Sequence, residues 1–432
     1  MEGPPRPDTP PHHPIFGVHM SHERIRLLMA KAYPGLTVDS VSQLPSGNSY
    51  NNRIYFIKIN HHRLQDFSGQ AALGRQELVL KLNGRFFGPD KIQNEVSCLR
   101  LMEIHCPNVP APLVYAWSEN GKDFVRISAD RLKCQNGEIP DPKMGKQTGG
   151  WILMSKIPGE SLSSRDWDKA TMNSLARQLA DMVAFWRQNI PTIQNCGNLL
   201  FCNDESADVL LRDQLSQPSS FPAAMARGII GIPGEANAPS RPITSELGYY
   251  GIRLEHALQE LETGEVYGSN KHIVPLVRRF ATETLPRLSL TRNTRQSAKG
   301  AFIFTHNDIS PRNVLVSGHP PKITGIIDYE FSGFFPASDE FVQDVVGNDG
   351  DWPAEAHRTY LERLEELGVE TPFKGMDQHT WQQLLSLGEV IENIAPWWLP
   401  GAHTGDGLTA ALDKAQLIVK CGIKTLEQNG SR

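Results

Sequence analysis

The chain has 432 residues, a formal charge of −5 and 39% hydrophobic residues, enough for a bilobal unit or two domains with a sizeable core. No dense Lys/Arg run accompanies the mild negative charge, which argues against a nucleic-acid partner and favours neutral or cationic small molecules. No apolar stretch approaches the roughly 18 residues of a membrane span, and the opening MEGPPRPDTPPHHP lacks an apolar core with a small-residue cleavage site.

In chain order, residues 1–20 read as a flexible Pro-rich arm. Ser21–Ala32 carries Ile25, Leu28 and Met29 at helical spacing. Val38–Leu44 and Arg53–Ile59, joined by the turn Pro45–Asn52, predict a β-hairpin. A polar excursion, His61–Gln76, precedes a third strand at Glu77–Leu82, and a helix is expected over Asp90–Ile104. Further strands are expected at Leu113–Trp117 and Asp123–Ser128, with a polar, Gly/Pro-rich loop over Leu132–Gly150 and a short strand at Trp151–Met154. The break at Lys156-Ile-Pro-Gly-Glu160 divides a β-rich N-lobe (21–157) from a mostly helical C-lobe (158–432). Within the C-lobe, Lys169–Gln188 is strongly amphipathic, residues 190–245 are loop-rich, and helical patterning resumes at Gly251–Thr263, Asn270–Leu285, Trp381–Ile394 and Leu408–Glu427. The fold class is therefore α+β. Cysteines at 98, 106, 134, 196, 202 and 421 form no Cys-x-x-Cys pair, so neither zinc nor a disulfide framework is implied, and a reducing, cytoplasmic setting is expected.

The chemistry concentrates in THNDISPRNVLVSGHPPKITGIIDYE, Thr305 to Glu330. Asp308 follows His306 by two residues, Asn313 follows Asp308 by five, and Asp328 closes the apolar run Ile323–Ile327. Kinase catalytic loops use this spacing: the first Asp orients the acceptor hydroxyl and takes its proton, while the Asn and the later Asp hold magnesium. Each residue alone is an ordinary turn former; the three together, between legible strands, are a catalytic segment. His306 reads as a scaffold residue bonding the loop backbone. Glu330 is placed to assist the metal or to satisfy a local amide. Arg312 suits contact with phosphate or acceptor and, equally, a surface ion pair.

Other residues support a nucleotide site. Lys81, ending the strand ELVLKL, is placed to reach phosphates if a carboxylate holds it. Glu95 lies on the helix flank of Ile92, Leu99 and Met102, so it faces inward and needs a partner, for which Lys81 is the economical choice. Ser46, Gly47, Asn48 and Ser49 form a tight turn suited to covering phosphates with backbone amides, although it is not a G-x-G-x-x-G loop. Met154–Ile157 holds the position of an adenine-contacting hinge. Trp397 and Trp398, preceded by Glu389 and Glu392, fit either an acceptor pocket for a cationic or aromatic substrate or a core edge with a solvated face.

With these residues in place, HNDISPRNVLV and ITGIIDYE resemble the aminoglycoside phosphotransferase and choline kinase superfamily, above all its divergent fungal-type members. The resemblance runs from about Val38 onward and is specific only in the catalytic segment. It implies a bilobal protein-kinase-like fold and an ATP- and Mg²⁺-dependent transfer of phosphate to a small-molecule hydroxyl. It also implies Asp308 as base, Asn313 and Asp328 as magnesium ligands, Lys81 with Glu95 as the phosphate-positioning pair, and a helical acceptor region at about 190–260. Asp-Tyr-Glu in place of Asp-Phe-Gly, with no Ala-Pro-Glu segment, argues against a protein kinase. Asn after His306, where many relatives have Gly, and Ile-Ser-Pro-Arg after Asp308 put antibiotic substrates in doubt. A nucleotide-binding scaffold without transfer activity is the alternative, against which the full residue set counts.

Overall fold

The computed structural model describes residues 9–60, 76–128, 131, 133–139, 149–202, 223–230, 242–288, 290, 302–346, 351–372, 374 and 376–429. Its first lobe comprises α1 (His22–Ala32), β1 (Thr37–Gln43), β2 (Asn52–Asn60), β3 (Gln76–Asn83), α2 (Pro89–His105), β4 (Val114–Ser118), β5 (Asp123–Ile127), β6 (Cys134–Glu138) and β7 (Trp151–Ser155). The strands form one antiparallel sheet in the order β1-β2-β3-β7-β4-β5-β6. Period-two alternation decides what each face carries. Leu78, Leu80 and Leu82 of β3 are buried with Tyr55, Ile57 and Ile59 of β2 against α1, which turns Val79 and Lys81 to the opposite face, towards the cleft. α1, capped by the Ser21 hydroxyl, lies against both edge strands, β1 and β6.

α2 begins on Pro89 after Gly88 and is buried around most of its circumference, because the sheet covers one side and the second lobe the other. Asn94 Nδ2 donates to the carbonyls of Glu330 and Ser332, both at 2.9 Å, and its Oδ1 accepts from the Leu199 amide at 2.7 Å. These bonds fasten the helix to the backbone at Glu330–Ser332 and at Leu199.

The second lobe contains β8 (Glu160–Ser161), α3 (Lys169–Asn189), β9 (Asn198–Cys202), β10 (Ala223–Gly228), α4 (Glu246–Thr263), α5 (Val274–Arg279), β11 (Ile303–Thr305), β12 (Val314–Ser317), β13 (Lys322–Ile326), β14 (Gly333–Phe335), α6 (Asp339–Val346), α7 (Ala354–Glu366), α8 (Gln378–Ile394) and α9 (Gly405–Asn429). Leu175, Leu179, Val183 and Trp186 bury one face of α3. β8, β12 and β13 form a three-stranded sheet, and β11 pairs with β14. The architecture is the bilobal, protein-kinase-like one expected.

Several local expectations need correction. Residues 9–20 do not hang free as part of an arm: Ile15, Val18 and Met20 are buried in the core shared by α1, β2 and β3, because apolar residues end the Pro-rich stretch. Arg53 Nε donates to the Val18 carbonyl at 3.1 Å, and Arg85 Nη2 to those of Pro11 and His13 at 2.6 and 3.0 Å. The single helix expected at Asn270–Leu285 is a succession of 3₁₀, α and π turns, interrupted where Pro275 and Pro286 withhold amides. Strand β6 lies inside the stretch expected as a loop at Leu132–Gly150, and the β9–β10 hairpin inside the loop-rich 190–245. The polar excursion His61–Gln76 falls, up to residue 75, outside the described residues.

Candidate active site

The β3 alternation delivers Lys81 to the floor of a cleft of about 2020 Å³ between the lobes. Its Nζ lies 2.7 Å from Glu95 Oε2, 2.6 Å from Asp328 Oδ1 and 2.8 Å from Glu330 Oε2. Sequence reasoning named Lys81 and Glu95 as partners, and the structure brings them together; it adds Asp328 and Glu330 to the same ammonium. Burial alone would lower the Lys81 pKa, but the carboxylates of Asp328, Glu330 and Glu95 hold it well above the lysine range. Burial pushes Glu95 up to about 7 against the pull of Lys81. Asp328 is raised by burial and by Glu330, with Lys81 opposing. In Glu330 burial is overruled by Lys81 and Lys91, which hold its carboxyl well below the usual range.

Glu330 is 1% exposed. Besides Lys81 it accepts from Asn51 Nδ2 at 3.0 Å, Asn52 Nδ2 at 2.6 Å and Lys91 Nζ at 3.0 Å. Both oxygens are thus engaged by side chains of the N-lobe. It joins the turn after β1, the start of α2 and the end of the segment Thr305–Glu330, and it also belongs to the carboxylate group Glu95, Asp328 and Glu330.

The β12–β13 register, Val314 opposite Ile326, sets Asn313 and Asp328 side by side at the open end of the hairpin, and the Ile327 amide donates to the Asn313 carbonyl at 3.0 Å. Asp328 adopts the left-handed conformation, φ 70° and ψ 58°, a strain that functional sites tolerate. Asn313 Nδ2 donates to the Asp308 carbonyl and to its Oδ2, both at 2.9 Å, so the amide oxygen is its free acceptor end. This oxygen and the Asp328 carboxylate line the cleft and are the donor types a hard cation takes. The oxygens of Glu95, Asp328 and Glu330 lie within 4.8 Å of one another, with the Lys81 ammonium among them.

Arg312 Nη2 meets Asp308 Oδ1 at 2.5 Å, and its Nη1 meets Asp351 Oδ2 at 2.9 Å. Burial pushes the Asp308 carboxyl up to about 7, with Arg312 opposing and Asp328 assisting. His306 is fully buried; its backbone amide donates to Glu340 Oε1 at 2.9 Å and its Nε2 to the Ile327 carbonyl at 3.1 Å. Burial lowers its pKa to about 4, so the ring is neutral at physiological pH and acts as a brace.

Gly47, Asn48 and Ser49 line the upper cleft. The amides of Asn48 and Ser49 are engaged within the turn, by Pro45 O and Ser46 O at 3.0 and 3.4 Å, so the turn presents fewer donors than its composition suggested. Met154 and Ile157 line the cleft at the end of β7, where the Ser155 amide bonds Leu113 O at 2.9 Å. On the C-lobe wall, Glu389, Glu392, Trp397 and Trp398 all line the cleft, and Trp397 is 42% exposed. Glu392 is held by Arg253 Nη2 at 2.6 Å. Arg253 Nη1 meets the Tyr249 hydroxyl at 2.9 Å, and that hydroxyl donates to buried Asp339 at 2.7 Å.

Sequence reasoning missed Asn51, Asn52, Lys91, Asp351 and the Arg253–Asp339 link. Lys91 had a signal, since it precedes Glu95 by one helical turn and shares its face. Asp339 and Arg253 meet only through the tertiary fold and carry no local signature.

A two-lobed fold with Lys–Glu, Asp–Asn and Asp groups around one cleft defines a kinase-like phosphotransferase. Residues 43–371 match the Phosphotransferase enzyme family, APH, and the chain belongs to that family. Among solved structures it resembles a candidate aminoglycoside phosphotransferase of Ralstonia eutropha JMP134, at 13% identity over 95% of this chain and 99% of that one, with a TM-score of 0.50. It also resembles an ethanolamine kinase of Plasmodium vivax, at 10% identity over 89% of this chain and 82% of that one, TM-score 0.47. A microcompartment-associated aminopropanol kinase matches at 14% identity over 94% and 98% of the two chains, TM-score 0.46. At these identities the likeness is one of fold. No curated protein sequence matches the chain.

Proposed function

We propose that the protein transfers the γ-phosphoryl group of ATP to a hydroxyl of a small molecule in a Mg²⁺-dependent reaction. The observation that carries this reading is that Lys81 of the first lobe lines one cleft with Asp308, Asn313 and Asp328 of the second. Lys81, held by Glu95, faces the α and β phosphates. Met154–Ile157 borders the adenine, and the turn Ser46–Ser49 covers the phosphates. Asn313 and Asp328 would hold magnesium; Glu330, one of whose oxygens lies within 4.8 Å of the Asp328 carboxylate, already serves four donors. Bound there, magnesium would neutralise the charge of the transferring phosphoryl group.

In the transfer step, the acceptor oxygen forms a bond to the γ-phosphorus while the bond to the β–γ bridging oxygen breaks, and ADP leaves. The hydroxyl proton passes to the Asp308 carboxylate, which Arg312 and Asn313 hold in place. A carboxyl raised towards neutrality is well matched to that task. Glu260, Asp351 and Glu389 with Tyr267 and Trp397 on the acceptor side favour a cationic or ring-bearing acceptor over an anionic one. No described helix is long and apolar enough to cross a membrane, and the free cysteines 98, 106, 134, 196 and 421 suit the cytoplasm.

Calorimetric titration with ATP, with and without Mg²⁺, tests the nucleotide site. Binding that needs Mg²⁺ and collapses in Asp328→Asn supports it. Asp308→Ala should then retain nucleotide binding and lose transfer to an acceptor found by metabolite screening; equal loss of both sinks the role given to Asp308.

A further inference from the structure

Lys81, Glu95, Asp328 and Glu330 line the cleft, and a second lysine, Lys91, is buried behind them. Lys81 touches Glu95, Asp328 and Glu330. Lys91 touches Glu330 alone among them, at 3.0 Å. Lys91 is 1% exposed, and its remaining donors go to Asn52 Oδ1 at 2.8 Å and Asn83 Oδ1 at 3.1 Å, with its ammonium 4.8 Å from the centre of the Phe87 ring. A lysine so enclosed cannot reach the nucleotide itself. Its surroundings nevertheless cost too much desolvation to be a packing accident.

We propose that Lys91 is a positioning residue that holds the Glu330 carboxylate, so that Lys81 is released to face the nucleotide phosphates. The inference rests on the nucleotide site proposed above. When Lys81 turns to phosphate and Asp328 to magnesium, Glu330 keeps its depth and its charge. A buried carboxylate without a cation is strongly disfavoured. Without Lys91, Lys81 is the one remaining cation in contact with Glu330 among the described residues, and it stays there. Lys91 also fixes the entry to β2: it bonds Asn52, and Asn52 bonds Glu330 at 2.6 Å, which seats the end of the phosphate-covering turn.

A charge-specific rescue is expected. Full-length wild type, Lys91→Met, Glu330→Gln and the double variant are titrated with a fluorescent mant-ATP probe in the presence of Mg²⁺, and their thermal midpoints are recorded without nucleotide. Lys91→Met should bind mant-ATP about tenfold or more weakly, because Lys81 is detained by the uncompensated Glu330. The double variant, which removes that charge, should return to within about threefold of wild type. A folded Lys91→Met that binds like wild type overturns the proposal, as does a double variant that binds no better than Lys91→Met. Should Lys91→Met fail to fold, the double variant still decides: wild-type-like binding there supports the proposal, and tenfold weaker binding overturns it. Wild type that fails to bind mant-ATP overturns the nucleotide site itself and this inference with it, an outcome distinct from the others.

Discussion

Arg312 donates to Asp308 Oδ1 across 2.5 Å and, through its other terminal nitrogen, to Asp351 Oδ2 across 2.9 Å. Asn313 holds the second Asp308 oxygen at 2.9 Å. The carboxylate is thereby fixed from both ends in the cleft, and its remaining lone pairs are the ones the proposed transfer would use. Arg312→Met should leave Mg–ATP affinity near wild type and lower the transfer rate by roughly 10²-fold, the loss expected from a misplacement of about 1 Å at a reacting group. Single-turnover transfer beside nucleotide titration separates the two effects. Loss of nucleotide affinity equal to the loss of rate would assign Arg312 to phosphate instead.

Asn307, between the brace His306 and Asp308, has φ 60°. That is the left-handed region, which glycine and asparagine enter readily and β-branched residues do not. The geometry accounts for the exchange of Gly for Asn noted at this position in the sequence. Asn307→Gly should therefore cost little beyond the bond from Thr305 Oγ1, at 3.0 Å. Asn307→Val should cost about 1–3 kcal/mol. Denaturant titration of both variants decides the matter, and equal stabilities would remove the backbone explanation.

The segment Thr305–Glu330 was legible because its pattern is carried by contiguous spacing: Asn313 and Asp328 flank the paired strands β12 and β13, and the Asn313 side chain holds Asp308. Lys81 and Glu95 were legible because strand and helix periodicity each assign a face. The partners of Glu330 were not legible because they come from elsewhere; Asn51, Asn52 and Lys91 reach it from the opposite lobe, and no local pattern announces them. The C-lobe wall of the cleft was hardest to foresee. Arg253, Asp339 and Glu392 lie on α4, α6 and α8, and only the packing of those helices joins them.

The strap formed by residues 9–20 is a further product of tertiary packing, and it has a measurable energetic consequence. Ile15 is 1% exposed and lies with Val18 and Met20 in the N-lobe core, where the Met20 amide also reaches the Tyr55 hydroxyl at 3.1 Å. Ile15→Ala should destabilise the protein by about 2 kcal/mol, the lower end for removal of a buried aliphatic side chain, because a peripheral strap relaxes more readily than a central strand. Urea unfolding gives the value. A change indistinguishable from zero would mean that the strap contributes no net stability.

Glu103, near the end of α2, accepts from Arg131 Nε at 2.6 Å and Nη2 at 2.5 Å, and pairs with Arg100. Burial would raise its carboxyl, but Arg131 and Arg100 outweigh burial and hold it below the ordinary glutamate value of 4.5. A group whose folded pKa is depressed stabilises the fold above its unfolded pKa and loses that contribution as pH falls through the folded one. The stability gap between wild type and Glu103→Gln should therefore be greatest at neutral pH, hold down to about pH 4.5 and close below it. Thermal midpoints of both proteins, followed from neutral pH to about pH 3, test the sign. A gap that widened on acidification would mean that the carboxyl is protonated in the folded state, and that Arg131 and Arg100 are compensated by other groups.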